Sequence, residues 1–185
     1  MKDSKLTTRD LAYIAIFAVV MAICSWITIP MTVPFTLQTM GVFLACIVLG
    51  GKRGTLSILV FILLGAVGIP VFSGFTGGFG ILLGSTGGYI IGFIASALIM
   101  WLFERIFGEK PWAIVVSMVL GLAACYAIGT VWFMLVYAKN SGAVGLGVVL
   151  GWCVIPFIIP DIAKMAVALV MGRQLKGILR KNGLR

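Results

Sequence analysis

The chain has 185 residues, 62% of them hydrophobic and 10% charged, with a mean hydropathy of +1.20. That balance excludes an ordinary soluble domain and describes an all-α integral membrane protein, a single transmembrane domain over residues 1–185. The net charge of +9 is spread over short loops and both tails with no aromatic-laced basic face, which argues against nucleic acid as a partner.

The N-terminal stretch to Asp10 is basic and leads into the first apolar run, 10–29. That run is long enough to span a bilayer and no small-residue cleavage pattern ends it, so a first transmembrane helix is expected rather than a signal peptide. Ala12, Ala15, Ala18 and Ala22 recur at helical spacing on it. Such a smooth face suits close packing, either within the bundle or against another membrane subunit. Further apolar runs follow at 37–50, 54–69, 86–106, 111–137 and 160–179, with Pro111 and Pro160 suited to first helical positions. The glycine-rich stretch 141–159, broken by Pro156, reads as a short helix or lid over one end of the bundle.

Charge placement supports six spans with both termini in the cytoplasm. The N-terminus, the loops around Lys52 and Arg105, and the C-terminal tail then hold twelve of the 14 basic residues on the inner side. A seventh span would put the basic tail outside. The chain is thus expected to be a multi-pass protein of a plasma membrane, in contact with the lipid bilayer.

Two outer loops are unusual. Residues 30–38 and 70–89 carry no charge but mix aromatics, glycines and hydroxyls. Irregular backbone at membrane depth must be buried in protein or line a cavity, and aromatic walls with a few polar groups suit a small ligand. Gly80, Gly84, Gly88 and Gly92 repeat every four residues; a helical setting is expected for Gly88 and Gly92 and loop for the first two.

Asp161 and Lys164 stand out in the last run, inside Ile158-Ile159-Pro160-Asp161-Ile162-Ala163-Lys164-Met165-Ala166-Val167. Positions i and i+3 share a helix face, and charges in apolar surroundings mark a partner, a cavity or a substrate. The alternative is a self-neutralising pair that locks helix packing. Asp161 just after Pro160 would also gain from the helix dipole. Tyr126, Trp132 and Tyr137 read as interfacial belt aromatics. Catalytic chemistry has little to work with: there is no histidine, and the four cysteines lie apart in apolar runs, which disfavours a disulfide framework, a metal site or a cofactor. Gly50-Gly51-Lys52 fails as a phosphate loop, with Cys46 and Arg53 where glycine and a hydroxyl are needed, so ATP would have to be used by another subunit.

Taken together, Val33-Pro34-Phe35-Thr36-Leu37-Gln38, Gly68-Ile69-Pro70-Val71-Phe72, Gly77-Gly78-Phe79-Gly80, Gly84-Ser85-Thr86-Gly87-Gly88-Tyr89 and Pro156-Phe157 with Asp161-Ile162-Ala163-Lys164 resemble the BioY family, the biotin-specific substrate-capture (S) components of energy-coupling factor transporters. Ser85 departs from the proline often found there. The resemblance implies a six-helix S-component fold, a transmembrane coupling subunit and two ATPase subunits as partners, and a docking role for Ala15, Ala18 and Ala22. It also implies capture of biotin. Asp161 is then expected to accept from a ureido N–H and Lys164 to donate to the ureido carbonyl, since they lie only about 4.5 Å apart along a helix axis. The competing assignment puts Lys164 on the biotin carboxylate. Thr36, Gln38 and Thr86 are expected to complete the polar contacts; Phe35, Phe75, Phe79 and Tyr89 to wall the ring system; and Gly77 to belong to the same binding set. A stand-alone gradient-driven carrier or channel is the alternative function.

Overall fold

Thr7 opens the first helix with a reciprocal cap: its hydroxyl accepts from the Asp10 N–H at 3.2 Å, and its own N–H donates to the Asp10 carboxylate at 3.0 Å. Helix α1 (Thr8–Trp26) follows. The computed structural model describes residues 6–142 and 144–181. A two-residue hairpin, β1 (Thr28–Ile29) against β2 (Phe35–Thr36), pairs antiparallel and leads into α2 (Gln38–Leu49). Gly50, at φ +83°, makes the left-handed turn into α3 (Gly51–Ala66). A 3-10 turn (Ser73–Phe75) and a short α4 (Phe79–Leu83) fill the next loop. Then come α5 (Gly87–Phe107), α6 (Pro111–Ser141), α7 (Leu146–Cys153) and α8 (Ile155–Lys181).

By length and composition, four segments are able to cross a membrane: Thr8–Trp26, Gly87–Phe107, Pro111–Lys139 and the run Leu146–Lys181. The other two expected spans are shorter. Helix α2, of 12 residues, is about 18 Å long against a hydrocarbon core of about 30 Å. It is the buried centre of the bundle, with every residue from Gly41 to Leu49 covered. Helix α3 carries Lys52 and Arg53 in its first turn. Arg53 pairs with Asp10 at 3.0 Å, and the Ser57 hydroxyl donates to the Ile14 carbonyl at 2.8 Å, fastening α3 to α1.

The last helix begins earlier than its prolines suggest. Both Pro156 and Pro160 lie inside α8. The first N–H groups of any helix have no intrahelical acceptor, so Pro156 near the start forfeits nothing; Pro160 removes only the bond to the Pro156 carbonyl. Asp161 is therefore well inside the helix rather than at its mouth, and the expected dipole contribution lapses. The stretch before it holds the short helix α7, as its glycines and prolines implied.

Helices α5 and α6 approach closely through reciprocal glycines. A Cβ at Gly88 would lie 2.2 Å from Trp132 Cβ, one at Gly92 2.9 Å from Cys125 Sγ, and one at Gly129 2.2 Å from the Tyr89 ring. The Ser96 hydroxyl also donates to the Gly121 carbonyl at 2.6 Å. Gly88→Leu should lower stability by about 3 kcal/mol or more through overpacking. Thermal unfolding in micelles checks this against Gly80→Ala, which should melt like the wild type because a Cβ at Gly80 meets nothing within 4 Å.

The alanine stripe of α1 divides. Ala18 and Ala22 are buried in the main core cluster, whereas Ala12 and Ala15 are exposed. Only Ala15 of the three residues expected to dock a partner is open to one. The helical period identified a smooth face, but the neighbours covering most of it are α2 and α3 of the same chain.

Candidate functional site

The two uncharged loops fold over the end of the bundle and help to wall a cavity of about 220 Å³. The hairpin supplies Val33, Pro34 and Thr36 to its wall, and α2 supplies Gln38. The longer loop adds Phe72, Ser73 and Thr76, while Thr86, Tyr89, Ile90 and Phe93 come from the start of α5. The loops are fastened to each other and to α1. Trp26 Nε1 donates to the Pro70 carbonyl at 2.8 Å, and the Thr28 and Ser73 hydroxyls are 2.8 Å apart.

Phe72 shows how the sequence shapes this wall. Its ring is fully buried and meets Phe61 edge-on, with centroids 5.6 Å apart. It fits only because residue 65 is glycine: a Cβ there would lie 2.1 Å from Phe72 Cζ. Gly77 serves the loop rather than the cavity. A side chain at 77 would begin 2.4 Å from the Ile69 carbonyl oxygen, where the loop folds back on itself.

Thr36 and Gln38 form the polar corner. The Thr36 hydroxyl donates to Gln38 Oε1 at 3.0 Å and accepts from the Gln38 N–H at 3.3 Å. Gln38 is 8% exposed, and its Nε2 has no hydrogen-bond partner among the described residues. A buried amide left unpaired is costly, which makes this donor a candidate contact for an acceptor in the cavity.

Asp161 and Lys164 lie just behind that corner. They are 2% and 6% exposed and form an ion pair of 2.6 Å. Asp161 Oδ1 also accepts from the Thr39 hydroxyl at 3.0 Å, and its Oδ2 accepts from Tyr126 OH. Lys164 Nζ donates to the Thr36 carbonyl at 2.7 Å and stands 4.1 Å from the Phe35 ring centroid. Phe35 in turn stacks on Phe157 at 6.2 Å. The pair thus ties α8 to the hairpin, α2 and α6, and every strong donor and acceptor in it is used. Neither residue lines the 220 Å³ cavity; they connect to it through Thr36, a wall residue whose carbonyl takes Lys164.

Among the expected site residues, Thr36, Gln38, Thr86 and Tyr89 come together on the cavity wall. Phe35 belongs to the ionic cluster. Phe75 and Phe79 stand apart from the wall, 64% and 63% exposed, with Phe75 stacked on Trp26 at 5.0 Å. Thr39 and Tyr126, which complete the Asp161 shell, were not expected in that role. Thr39 had a local signal, a hydroxyl at the second position of an apolar helix; Tyr126 is 35 residues from its partner and had none.

This fold and site define a polytopic helical membrane protein with a small cavity beneath two ordered loops and a buried ion pair behind its polar corner. The chain belongs to the BioY family, whose model matches residues 1–181. It is 38% identical over 169 residues to the biotin transporter BioY of Thermotoga maritima, covering 91% of this chain and 96% of that one. It is also 38% identical over 173 residues to the probable biotin transporter BioY of Pyrococcus horikoshii, with 93% and 99% covered. Its fold matches the crystal structure of the S-component for biotin from an ECF-type ABC transporter. The TM-score is 0.80 at 27% identity, over 94% of this chain and 95% of the other.

Proposed function

We propose that this chain captures biotin at the outer face of a bacterial-type plasma membrane and delivers it inward as the substrate-specific subunit of an ATP-driven energy-coupling factor transporter. The observation that carries this reading is the aromatic-walled cavity with an unpaired, buried Gln38 amide, found in a member of the BioY family. Six helices, α1, α2, α3, α5, α6 and α8, are proposed to traverse the bundle with both termini in the cytoplasm, which leaves the cavity outside. The partners are a transmembrane coupling subunit and two ATPase subunits, and the open side of α1 around Ala15 is the proposed docking face.

Biotin offers a ureido group with two N–H donors and a carbonyl, an apolar thioether ring, and a carboxylate on a flexible chain. The rings are proposed to lie between Phe72, Tyr89 and Phe93. Gln38 Nε2 donates to a ligand oxygen. Asp161 accepts from the ureido N–H and Lys164 donates to its carbonyl after the Phe35–Thr36 strand moves aside, so that Lys164 exchanges its bond to the Thr36 carbonyl for one to the ligand. A neutral head group against a neutralised pair strands no charge. Binding of biotin methyl ester checks the orientation: affinity close to that of biotin supports the ureido assignment, and a large loss moves Lys164 to the carboxylate.

Gln38→Leu should weaken biotin binding about tenfold, the worth of one buried hydrogen bond. Unchanged affinity would remove Gln38 from the site. Uptake of labelled biotin by cells that produce this chain, with and without the coupling and ATPase subunits, tests the transport role. Accumulation dependent on those subunits is expected; equal uptake without them would favour a gradient-driven carrier.

A further inference from the structure

Apart from the Tyr126–Asp161 hydrogen bond, helices α6 and α8 pack mainly on other elements. Helix α6 packs chiefly on α5, and α8 on α2. Between them runs an apolar groove of about 560 Å³, walled by Val115, Val119 and Ala123 on one side and Ile158, Ile162 and Ala166 on the other. From Ile158 to Leu169 it is roughly 16 Å long, matching the roughly 15 Å depth of one leaflet's hydrocarbon.

The groove does not end blindly. Leu169 closes it on α8, and one turn further Arg173 begins a polar pocket of about 400 Å³ that also takes Ile114, next to Val115 on α6. Three cations, Arg173, Lys176 and Arg180, line this pocket with one carboxylate, Glu109. Glu109 is committed to Lys176 at 2.7 Å. Arg173 and Arg180 lie two turns apart on the same helix, both are exposed, and neither has a hydrogen bond or ion pair among the described residues. An acyl-sized groove thus opens at leaflet depth onto a pocket with surplus positive charge.

We propose that this surface is a binding site for one anionic phospholipid, with an acyl chain in the α6–α8 groove and the phosphate at Arg173 and Arg180. The site is separate from the cavity beneath the loops, and it takes its charge from the end of the bundle where α6 begins and α8 ends. Cationic pockets between helices are suited to anionic head groups, and the apolar groove adds what a free anion cannot use. Occupancy would fill the gap between the two helices that hold Tyr126 and Asp161.

Native mass spectrometry of the full chain, released from micelles doped with dioleoyl-phosphatidylglycerol or dioleoyl-phosphatidylcholine, tests this. A one-to-one phosphatidylglycerol adduct is expected, with phosphatidylcholine retained much less. The double variant Arg173→Gln/Arg180→Gln should reduce phosphatidylglycerol affinity about thirtyfold, from roughly fivefold per cation. Ala166→Phe should fill the groove and abolish the adduct with both arginines intact; Ala123→Phe on the facing wall serves if that variant does not yield monodisperse protein. Equal retention of the neutral lipid, or an undiminished adduct in the arginine double variant, would overturn the proposal. So would competition by millimolar inorganic phosphate together with an unchanged adduct in the groove variants, since that pattern describes a simple anion site.

Discussion

Asp161→Asn and Lys164→Met are each expected to destabilise the protein by about 3–5 kcal/mol, because either one leaves its former partner charged and buried without compensation. The double variant should recover most of that loss. The neutral amide it places at position 161 can still bond Thr39 and Tyr126, and the thioether it places at position 164 can fill the space of the lysine stem. Thermal unfolding of the four proteins in micelles checks the coupling, and additive losses in the double variant would show that the 2.6 Å pair is not the main bond in this cluster. Biotin binding by the stabilised double variant answers a separate question. Loss of binding is expected if the pair meets the ureido group, whereas wild-type affinity would return Asp161 and Lys164 to the purely structural reading.

Gly65→Ala is the second large effect, and it acts from outside the cavity. The added methyl would start 2.1 Å from the Phe72 ring. Gly65 and Phe61 sit one turn apart on the same face of α3, and Phe72 lines the cavity, so a ring pushed away from α3 moves toward the cavity. Biotin affinity should fall about tenfold or more, with modest loss of stability. Gly65→Ala/Phe72→Leu should restore part of the affinity by returning space to the site. A Gly65→Ala variant that binds like the wild type would show that Phe72 does not bound the ligand.

Most helices were legible because their limits are set by local chemistry. Pro111 opens α6, and the uncharged aromatic loops at 30–38 and 70–89 sit where apolar runs break. The start of α8 was misjudged for an equally local reason: a proline near a helix start looks like a breaker but costs little. The short length of α2 was less legible, since a helix buried on all sides by other helices can be short and still be apolar.

The site divides along similar lines. Hydroxyl and amide groups at Thr36, Gln38 and Thr86 were readable as rare polar residues in apolar surroundings, and the structure gathers them on one wall. Aromatic content alone does not say which side of a loop a ring faces; Phe75 and Phe79 turn outward while Phe72 turns in, and that choice is made by Gly65 on another helix. The Asp161–Lys164 spacing marked a pair, but Thr39 and Tyr126 join it only through tertiary packing. Ala18 and Ala22 carry the same lesson: period identifies a face, and the rest of the fold decides what covers it.

Calorimetric titration of biotin into the detergent-purified chain, with riboflavin and thiamine as controls, tests the central claim most directly. Tight one-to-one binding of biotin, and of neither control, is the expected result. Absence of biotin binding by folded, monodisperse protein would contradict the assignment of the cavity beneath the loops as a biotin site.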